Sequence, residues 1–279
     1  MPAFYNAPMR PTDTLSHSAC WLAADDVRVH ALVREGPRPV VFVHGLSASS
    51  AYFSEALERP ELDGRGIVAI DLPGFGATEP PAGYGFSMRE QSRVLAATIE
   101  TAGLVDVTLV GHSMGGTISL MAAQSLAPRV AGLVLAEAIL VFDETLWSER
   151  ISAVSLDEYR IEFESICRRP EIYARGGLLR RRKDAVARIA PCITQTTAEA
   201  MHASAVDLKA EARDPWLYDL FLATRPQPIY VFGDLHDTTR FCRQVRADGA
   251  RVAIVPGSGH LMMLDNPGAF YEIVASANA

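Results

Sequence analysis

A serine flanked by glycines follows an apolar run in the middle of the chain. Residues 107–110 have the composition of a buried strand, residues 111–116 read Gly-His-Ser-Met-Gly-Gly, and a helix is predicted over residues 114–126. A G-x-S-x-G sequence between a strand and a helix forms a sharp turn that exposes the serine hydroxyl, and larger residues in place of the glycines would collide with neighbouring elements. We predict that Ser113 is a nucleophile; the alternative is a glycine-rich turn with an incidental serine.

A serine hydroxyl needs a base, because it is a poor nucleophile at neutral pH. Of the seven histidines, His260 stands in a glycine-rich loop after the last predicted strand, residues 252–255. From the carboxyl end of that strand a base can reach Ser113. The order in the chain, serine before histidine, also agrees with sites in which a histidine activates a serine nucleophile. We predict His260 as the base, against a purely structural role.

Two backbone amides are candidates for an oxyanion hole. Leu46 follows His44 and Gly45 at the end of the apolar run 40–43, and Met114 follows the candidate nucleophile. Amides that point at the same spot stabilise the negative charge that develops on a carbonyl oxygen. The start of the helix at Met114 adds a partial positive charge.

Short apolar runs alternate with helical patterns, which is typical of an α/β fold with a mainly parallel sheet. A hairpin is predicted from residues 19–22 and 27–34. Ser87 and Glu90 form a capping box that opens a helix running to about residue 101. Further strands are expected at residues 40–43, 66–70, 131–136 and 229–232, and further helices at about residues 50–57, at 240–247 and after Pro267.

The strand pattern disappears over residues 140–225, where helical periodicity is interrupted by Pro170, by two glycines at 176–177 and by Pro191. The α/β order resumes afterwards, so this stretch is predicted to be a helical insertion over the sheet. The core is then formed by residues 1–139 and 226–279.

Four motifs stand in the order found in one large family: His44-Gly45, residues 71–76, residues 111–116 and Gly259-His260. On these motifs the chain resembles the α/β-hydrolase superfamily, in its esterase-like form with a serine nucleophile. The resemblance implies an eight-stranded sheet whose second strand is antiparallel, and a helical cap between strands six and seven. It also implies chemistry without a metal or organic cofactor. A serine at position 113 argues against haloalkane dehalogenase and epoxide hydrolase chemistry, for which the resemblance would require an aspartate.

The acid that orients the base has several candidates. Members of the superfamily most often carry it three residues beyond a glycine after strand seven, but here His236 stands at that offset from Gly233, and Asp237 comes one place later. The end of strand six offers Glu137, and the segment resembles certain haloalkane dehalogenases that use a glutamate there. A carboxylate at a buried strand end is costly unless a partner such as an imidazole compensates it. We predict Glu137 as the acid, with Asp237 as the main alternative and Asp234 as a further one.

The composition sets limits on the class of protein. The chain has 279 residues with a formal net charge of −7, which argues against a general nucleic-acid binder. The N-terminal sequence lacks the pattern of a secretion signal, and no apolar run is long enough for a membrane span. The scattered cysteines suit free thiols in a reducing compartment, so a cytoplasmic protein is expected. They are Cys20, Cys167, Cys192 and Cys242.

Two features of the insertion are open to a functional or a structural interpretation. A basic stretch could attract an acidic substrate, although a solvated helix face is the preferred interpretation. A set of apolar side chains could line a pocket over Ser113 or belong to the core. The basic residues are Arg160, Arg168, Arg169, Arg175, Arg180, Arg181, Arg182, Lys183 and Arg188, and the apolar residues are Phe142, Trp147, Tyr159, Phe163, Met201, Met262 and Met263.

Together these patterns predict an enzyme that cleaves a carboxylic ester or related acyl bond of a small-molecule substrate through an acyl-enzyme on Ser113. Two alternatives remain open. The same three side chains could act on a thioester, a lactone or a carbon–carbon bond, or in an elimination or cyclisation. A ligand-binding receptor with little turnover would share the fold without the chemistry. The sequence does not predict the oligomeric state.

Overall fold

The structure, a computed structural model, describes residues 18–24, 26–142, 146–178, 183–236 and 239–277. Within these residues, eight strands form one sheet. In chain order they are β1 (Ser18–Ala24), β2 (Val27–Arg34), β3 (Val40–Val43), β4 (Ile67–Ile70), β5 (Val107–His112), β6 (Val130–Ala136), β7 (Ile229–Gly233) and β8 (Arg251–Val255).

The strands lie in the order β1-β2-β4-β3-β5-β6-β7-β8. Strand β2 is antiparallel to both of its neighbours, and every other pair is parallel. This confirms the hairpin and the fold class that the sequence predicted. Because β3 and β5 to β8 run in the same direction, the loops that follow them gather at one edge of the sheet.

Eleven α-helices lie in the described part of the chain. They are α1 (Met88–Thr101), α2 (Met114–Ser125), α3 (Leu146–Ser152), α4 (Leu156–Cys167), α5 (Pro170–Gly177), α6 (Lys183–Thr194), α7 (Ala198–Arg213), α8 (Trp216–Ala223), α9 (Arg240–Ala247), α10 (Met262–Asp265) and α11 (Pro267–Ser276). Among the described helices, we find none with the length and apolar composition of a membrane span.

The capping box at the start of α1 forms as predicted. The Ser87 hydroxyl accepts a hydrogen bond from the Glu90 amide at 3.2 Å, and the Glu90 carboxylate accepts one from the Ser87 amide at 3.0 Å. The helix ends before Gly103, whose φ of +65° reverses the chain. These local bonds fix where α1 begins and ends.

Two local predictions are wrong in detail. The helix expected near residues 50–57 is a 3₁₀-helix, Ser50–Glu58, which begins with a three-residue bond from the Tyr52 amide to the Ser49 carbonyl. In so short a segment, the spacing of the apolar residues fits both a 3₁₀-helix and an α-helix, so the sequence did not distinguish these two helix types. Pro191 does not interrupt the insertion but lies inside α6. Its missing amide proton removes one helical hydrogen bond, and α6 continues beyond it to Thr194.

Two apolar layers pack on opposite faces of the sheet, because successive side chains of a strand point in opposite directions. Val41 and Leu109 belong to one layer, whereas their neighbours Phe42 and Val110 belong to the other. Helices α3 to α8 lie between β6 and β7 in the chain, and their buried residues join both layers. The insertion therefore shares these two apolar layers instead of forming a detached core.

Candidate active site

The candidate nucleophile occupies a strained turn between β5 and α2. Ser113 has φ +53° and ψ −123°, a left-handed conformation that is unfavourable for a residue with a side chain. Its amide donates to the Ala136 carbonyl at 2.9 Å, and its carbonyl accepts from the Gly116 amide at 2.9 Å. These bonds hold Ser113 at the carboxyl edge of the sheet, with its side chain partly exposed.

The glycines around this turn are required by close contacts, as predicted. A Cβ atom on Gly111 would lie 2.4 Å from the Gly115 carbonyl oxygen. A Cβ on Gly116 would lie 2.4 Å from the Ala138 side chain. Backbone and side-chain atoms essentially never approach so closely, so the turn cannot accept larger residues at these positions.

Gly115→Ala is expected to destabilise the fold by about 2 kcal/mol or more, since overpacking a close contact typically costs 1–3 kcal/mol. The new Cβ would lie 2.3 Å from the Val43 carbonyl oxygen and 2.4 Å from that of His44, and both are backbone atoms of β3 and its loop. Urea unfolding measures the change. Gly176→Ala is the matched control, because nothing lies within 4 Å of a Cβ there, and it should be neutral or slightly stabilising.

The loop after β3 lies directly against the nucleophile. A Cβ on Gly45 would lie 3.1 Å from the Ser113 Cβ. The His44 ring donates from Nδ1 to the Gly45 carbonyl at 2.8 Å and accepts at Nε2 from the Leu72 amide at 3.0 Å. Burial lowers the pKa of His44, which keeps the ring neutral and suited to both bonds. Because the Gly45 carbonyl is fixed, the amide of Leu46 in the same peptide unit is fixed as well.

Met114 supplies the second candidate amide. It is the first residue of α2, follows Ser113 directly and is fully buried. The first amides of a helix have no partner within the helix, and the helix dipole makes this end partly positive. The Leu46 amide therefore stands on the loop after β3 and the Met114 amide at the start of α2, both next to the candidate nucleophile.

The loop that carries His260 is held at both of its sides. The Asp234 carboxylate accepts hydrogen bonds from the amides of Gly257 and Ser258 at 2.6 and 2.9 Å. His112 donates from Nε2 to the His260 carbonyl at 2.8 Å, and the two imidazole rings are 4.5 Å apart. His260 is thus packed against the immediate neighbour of the candidate nucleophile.

Glu137 lies at the end of β6 with φ +43°. Its side chain is only 10% exposed, and its Oε2 atom is 2.6 Å from Nδ1 of His260. The other oxygen, Oε1, accepts from the Gly233 amide at 3.0 Å and from Nδ1 of His236 at 2.7 Å. Burial acts to raise the pKa of Glu137, but the hydrogen bonds from His236 and His260 outweigh it and hold the pKa well below its usual range. The group is a carboxylate between two imidazoles.

A family model described as the alpha/beta hydrolase family matches residues 40–273. The chain belongs to this family. Haloalkane dehalogenase 2 of Mycobacterium tuberculosis is 30% identical over 115 residues, which cover 41% of this chain and 40% of that protein. The 2-hydroxy-6-oxo-2,4-heptadienoate hydrolase of Pseudomonas putida is 37% identical over 103 residues, covering 36% of this chain and 37% of that protein. The chain spans about two fifths of the length of these curated relatives.

A solved esterase from Exiguobacterium antarcticum has a similar structure, with a TM-score of 0.76 and 21% sequence identity. The match covers 92% of this chain and 97% of the esterase. At this level of identity the likeness shows the shared fold.

The three candidate acids of this alpha/beta hydrolase have different surroundings. Oε2 of Glu137 lies at hydrogen-bond distance from the base that the sequence predicted. The carboxylate of Asp234 is instead bound to two loop amides. Asp237 lies outside the described residues. The geometry therefore favours Glu137, the first choice of the sequence analysis.

His236 was not among the predicted site residues, yet it contacts the candidate acid at 2.7 Å. The sequence contained a signal for it. His236 stands at the offset from Gly233 where, by the resemblance, the family most often carries the acid. A carboxylate at this position would accept hydrogen bonds, whereas a histidine can donate one. A donor fits here because the carboxylate of Glu137, at the end of β6, needs one.

His112 is expected to make the stability of this hydrolase depend on pH. Burial, with a further contribution from the nearby His260, lowers the pKa of His112 to about 3. The unfolded chain binds its proton near pH 6.5, so this contribution to stability is complete above pH 6.5 and is lost as the pH falls below it. The loss between pH 7 and pH 5 should be roughly 2 kcal/mol, since each pKa unit is worth 1.36 kcal/mol.

Urea unfolding at pH 7 and pH 5 measures this loss in the wild type and in His112→Gln. The glutamine amide can still donate to the His260 carbonyl but does not titrate. The variant should therefore lose less stability than the wild type over this range. An equal loss in both proteins would show that His112 is not the group responsible.

The basic stretch of the insertion is partly neutralised by neighbouring acids. Arg160 forms ion pairs with Asp157 at 2.6 Å and with Glu199 at 2.8 Å, and all three side chains are largely exposed. The arginines at positions 180–182 lie outside the described residues. Pairing of this kind favours the interpretation as a solvated helix face.

The apolar residues proposed as a pocket or a core behave mainly as core. Four of them are at most 2% exposed, namely Tyr159, Met201, Met262 and Met263. Phe163 is partly buried against the same apolar layer as Tyr159. The Arg213 guanidinium lies 5.1 Å from the centre of the Phe142 ring. The side chain of Trp147 lies outside the described residues.

Proposed function

We propose that this alpha/beta hydrolase cleaves a carboxylic ester or a related acyl bond through an acyl-enzyme on Ser113. The observation that carries the proposal is the 2.6 Å contact between Oε2 of Glu137 and Nδ1 of His260. This contact supplies the charge and orientation that an imidazole base needs. The bond from His112 to the His260 carbonyl supports the placement of that base beside the nucleophile.

The hydrogen-bond pattern assigns the protons of the base. An ionised carboxylate only accepts hydrogen bonds, so the Nδ1 atom of His260 carries a proton. In the neutral ring the other nitrogen, Nε2, is then an acceptor. It takes the proton of the Ser113 hydroxyl as the oxygen attacks the acyl carbon, and the imidazolium that forms is stabilised by Glu137.

The remaining steps follow from the same groups. The amides of Leu46 and Met114 hold the oxyanion while the carbonyl carbon is tetrahedral. His260 gives its proton to the leaving alcohol, and the acyl group stays on Ser113. Water then loses a proton to His260 and attacks the acyl-enzyme, and His260 returns the proton to the Ser113 oxygen as the acid leaves. The strained φ of Ser113 keeps its hydroxyl in place for both halves of the reaction.

Dehalogenation, the activity named for one relative, is not carried over to this chain. A serine oxygen that displaced a halide from an alkyl carbon would form an ether, which has no carbonyl carbon for water to attack. An acyl group on the same serine forms an ester, which water hydrolyses. The serine at position 113 therefore favours acyl substrates.

Helices α3 to α8 are proposed to act as a cap that selects the acyl substrate. They connect β6, which ends at the candidate acid, to β7. A segment in this position can cover the carboxyl edge of the sheet while the core keeps its geometry. The proposed substrate is a small molecule, and the proposal requires no cofactor.

The experiment compares three butyryl compounds with different leaving groups: p-nitrophenyl butyrate, phenyl butyrate and a butyryl thioester. If hydrolysis of a common acyl-enzyme limits the rate, all three should give the same kcat. Turnover of the thioester alone would support the thioester alternative. Absence of turnover above the Ser113→Ala background with every compound would contradict the proposal and favour a ligand-binding role.

A further inference from the structure

The carboxylate of Glu137 is held from both sides by imidazole groups. His260 lies 2.6 Å from Oε2, and His236 lies 2.7 Å from Oε1. The proposed mechanism uses only the first of these contacts. The second leaves a histidine, whose side chain is 40% exposed, bound to the acid without a role in the reaction steps.

We propose that His236 is a positioning residue that holds Oε1 of Glu137 so that Oε2 faces Nδ1 of His260. This inference rests on the proposed function, because it assigns a role within the same site. His236 thus becomes a member of the site from the turn that follows β7, in addition to the acid that follows β6 and the base that follows β8.

The freedom of the glutamate side chain to rotate explains why the carboxylate needs such an anchor. The terminal torsion of a glutamate side chain has broad minima, so the carboxylate plane can turn unless both oxygens are held. Oε1 has two donors, the amide of Gly233 and Nδ1 of His236. Both belong to the end of β7 and the 3₁₀ turn Asp234–His236 that follows it. Removing His236 leaves one anchor on Oε1 and allows Oε2 to move relative to the base.

The arrangement does not resemble a metal site. Each histidine approaches a different oxygen of one carboxylate, as hydrogen-bond donors do. Among the residues that the structure describes, no group of three or more histidine, cysteine, aspartate or glutamate side chains is placed to hold a metal ion. A positioning role through hydrogen bonds is the chemistry that fits these contacts.

Two substitutions distinguish the hydrogen bond that His236 donates from the space that its side chain fills. His236→Leu removes the donor and keeps a branched side chain of moderate size. His236→Asn keeps an N–H group at nearly the same distance from the backbone as Nδ1. We expect kcat for p-nitrophenyl butyrate to fall roughly 10-fold in His236→Leu with KM within two-fold, because small misplacements of catalytic groups cost rate. The asparagine variant should recover most of the loss.

The deciding measurement is proton NMR of the full chain with ¹⁵N-labelled histidine. The proton between Nδ1 of His260 and Glu137 should give a signal far downfield of ordinary amides, and so should the proton between Nδ1 of His236 and Glu137. Both variants lack the second proton, so the signal that remains in them belongs to His260. His236→Leu should shift or broaden this signal, and His236→Asn should leave it close to the wild-type position. Leu235→Ala is the matched control, because Leu235 is exposed and adjoins His236 in the same turn, and it should change neither the signal nor kcat.

An unchanged His260 signal and an unchanged kcat in His236→Leu would overturn the inference. If His236→Leu does not fold, His236→Asn still decides, since a signal lost there as well means that the N–H donor is not what matters. If the wild type hydrolyses no ester, the proposed function fails, and the NMR comparison alone decides whether His236 positions Glu137.

Discussion

Ser113→Ala is expected to lower kcat/KM for p-nitrophenyl butyrate by about 10⁴-fold or more, because removing a nucleophile abolishes the acyl-enzyme route. What remains would come from the oxyanion amides and from substrate binding. The substitution should not damage the fold, since alanine and serine meet the same backbone strain at φ +53°. Steady-state rates with matched unfolding curves measure both properties.

Ser113→Gly provides a second and independent readout of this position. Glycine has no Cβ, so it relieves the strain of the left-handed conformation. The variant should be as inactive as Ser113→Ala but more stable than the wild type by about 1 kcal/mol, since a strained φ costs of order 1–3 kcal/mol. Loss of activity combined with a gain of stability is expected of a strained functional residue. Substantial residual activity in either variant would contradict the role of Ser113.

Glu137→Gln is expected to reduce kcat by roughly 10³–10⁴-fold, as loss of the acid does in related sites. Three N–H donors surround the carboxylate, from Gly233, His236 and His260, but a glutamine offers a single oxygen. The Gly233 amide can only donate, so the glutamine oxygen takes the position that Oε1 has in the wild type. The NH₂ group then faces His260. The base must then carry its proton on Nε2, where it cannot accept one from Ser113.

The matched control for this variant is Asp237→Asn, which changes the main alternative acid in the same chemical way. It should retain activity close to that of the wild type. The same kinetic assay on both proteins decides between the two acids. A severe loss in Asp237→Asn with a mild one in Glu137→Gln would leave the fold and the nucleophile in place and show that the acid is assigned wrongly.

The elements whose structure depends on local bonds could be predicted from the sequence. The capping box of Ser87 and Glu90 marks the start of α1, and apolar runs mark β3 and β5. The turn at Ser113 was predictable from its motif, although only Gly111 is required by contacts within a few residues, whereas Gly115 meets the backbone of β3 and its loop. Details that depend on packing were less accessible, such as the 3₁₀ form of Ser50–Glu58.

The environment of the acid could not be derived from the sequence alone. Glu137 meets partners that lie 99 and 123 positions later in the chain, at the ends of two other strands. Sequence patterns place strand ends at one edge of the sheet, but they do not give the direction of each side chain. The positive φ of Glu137 turns its backbone at that point. For the same reason His236 was noticed only as a residue that stood where an acid was expected.

In the proposed mechanism, acyl transfer passes through a covalent intermediate on Ser113. The most direct test mixes the enzyme with p-nitrophenyl butyrate, follows the first turnover, and stops the reaction with acid for mass analysis of the protein. We predict a burst of one equivalent of p-nitrophenol and a butyryl group on the peptide that contains Ser113, both absent in Ser113→Ala. Steady turnover without a burst and without an adduct, or an adduct on another residue, would contradict the proposed mechanism.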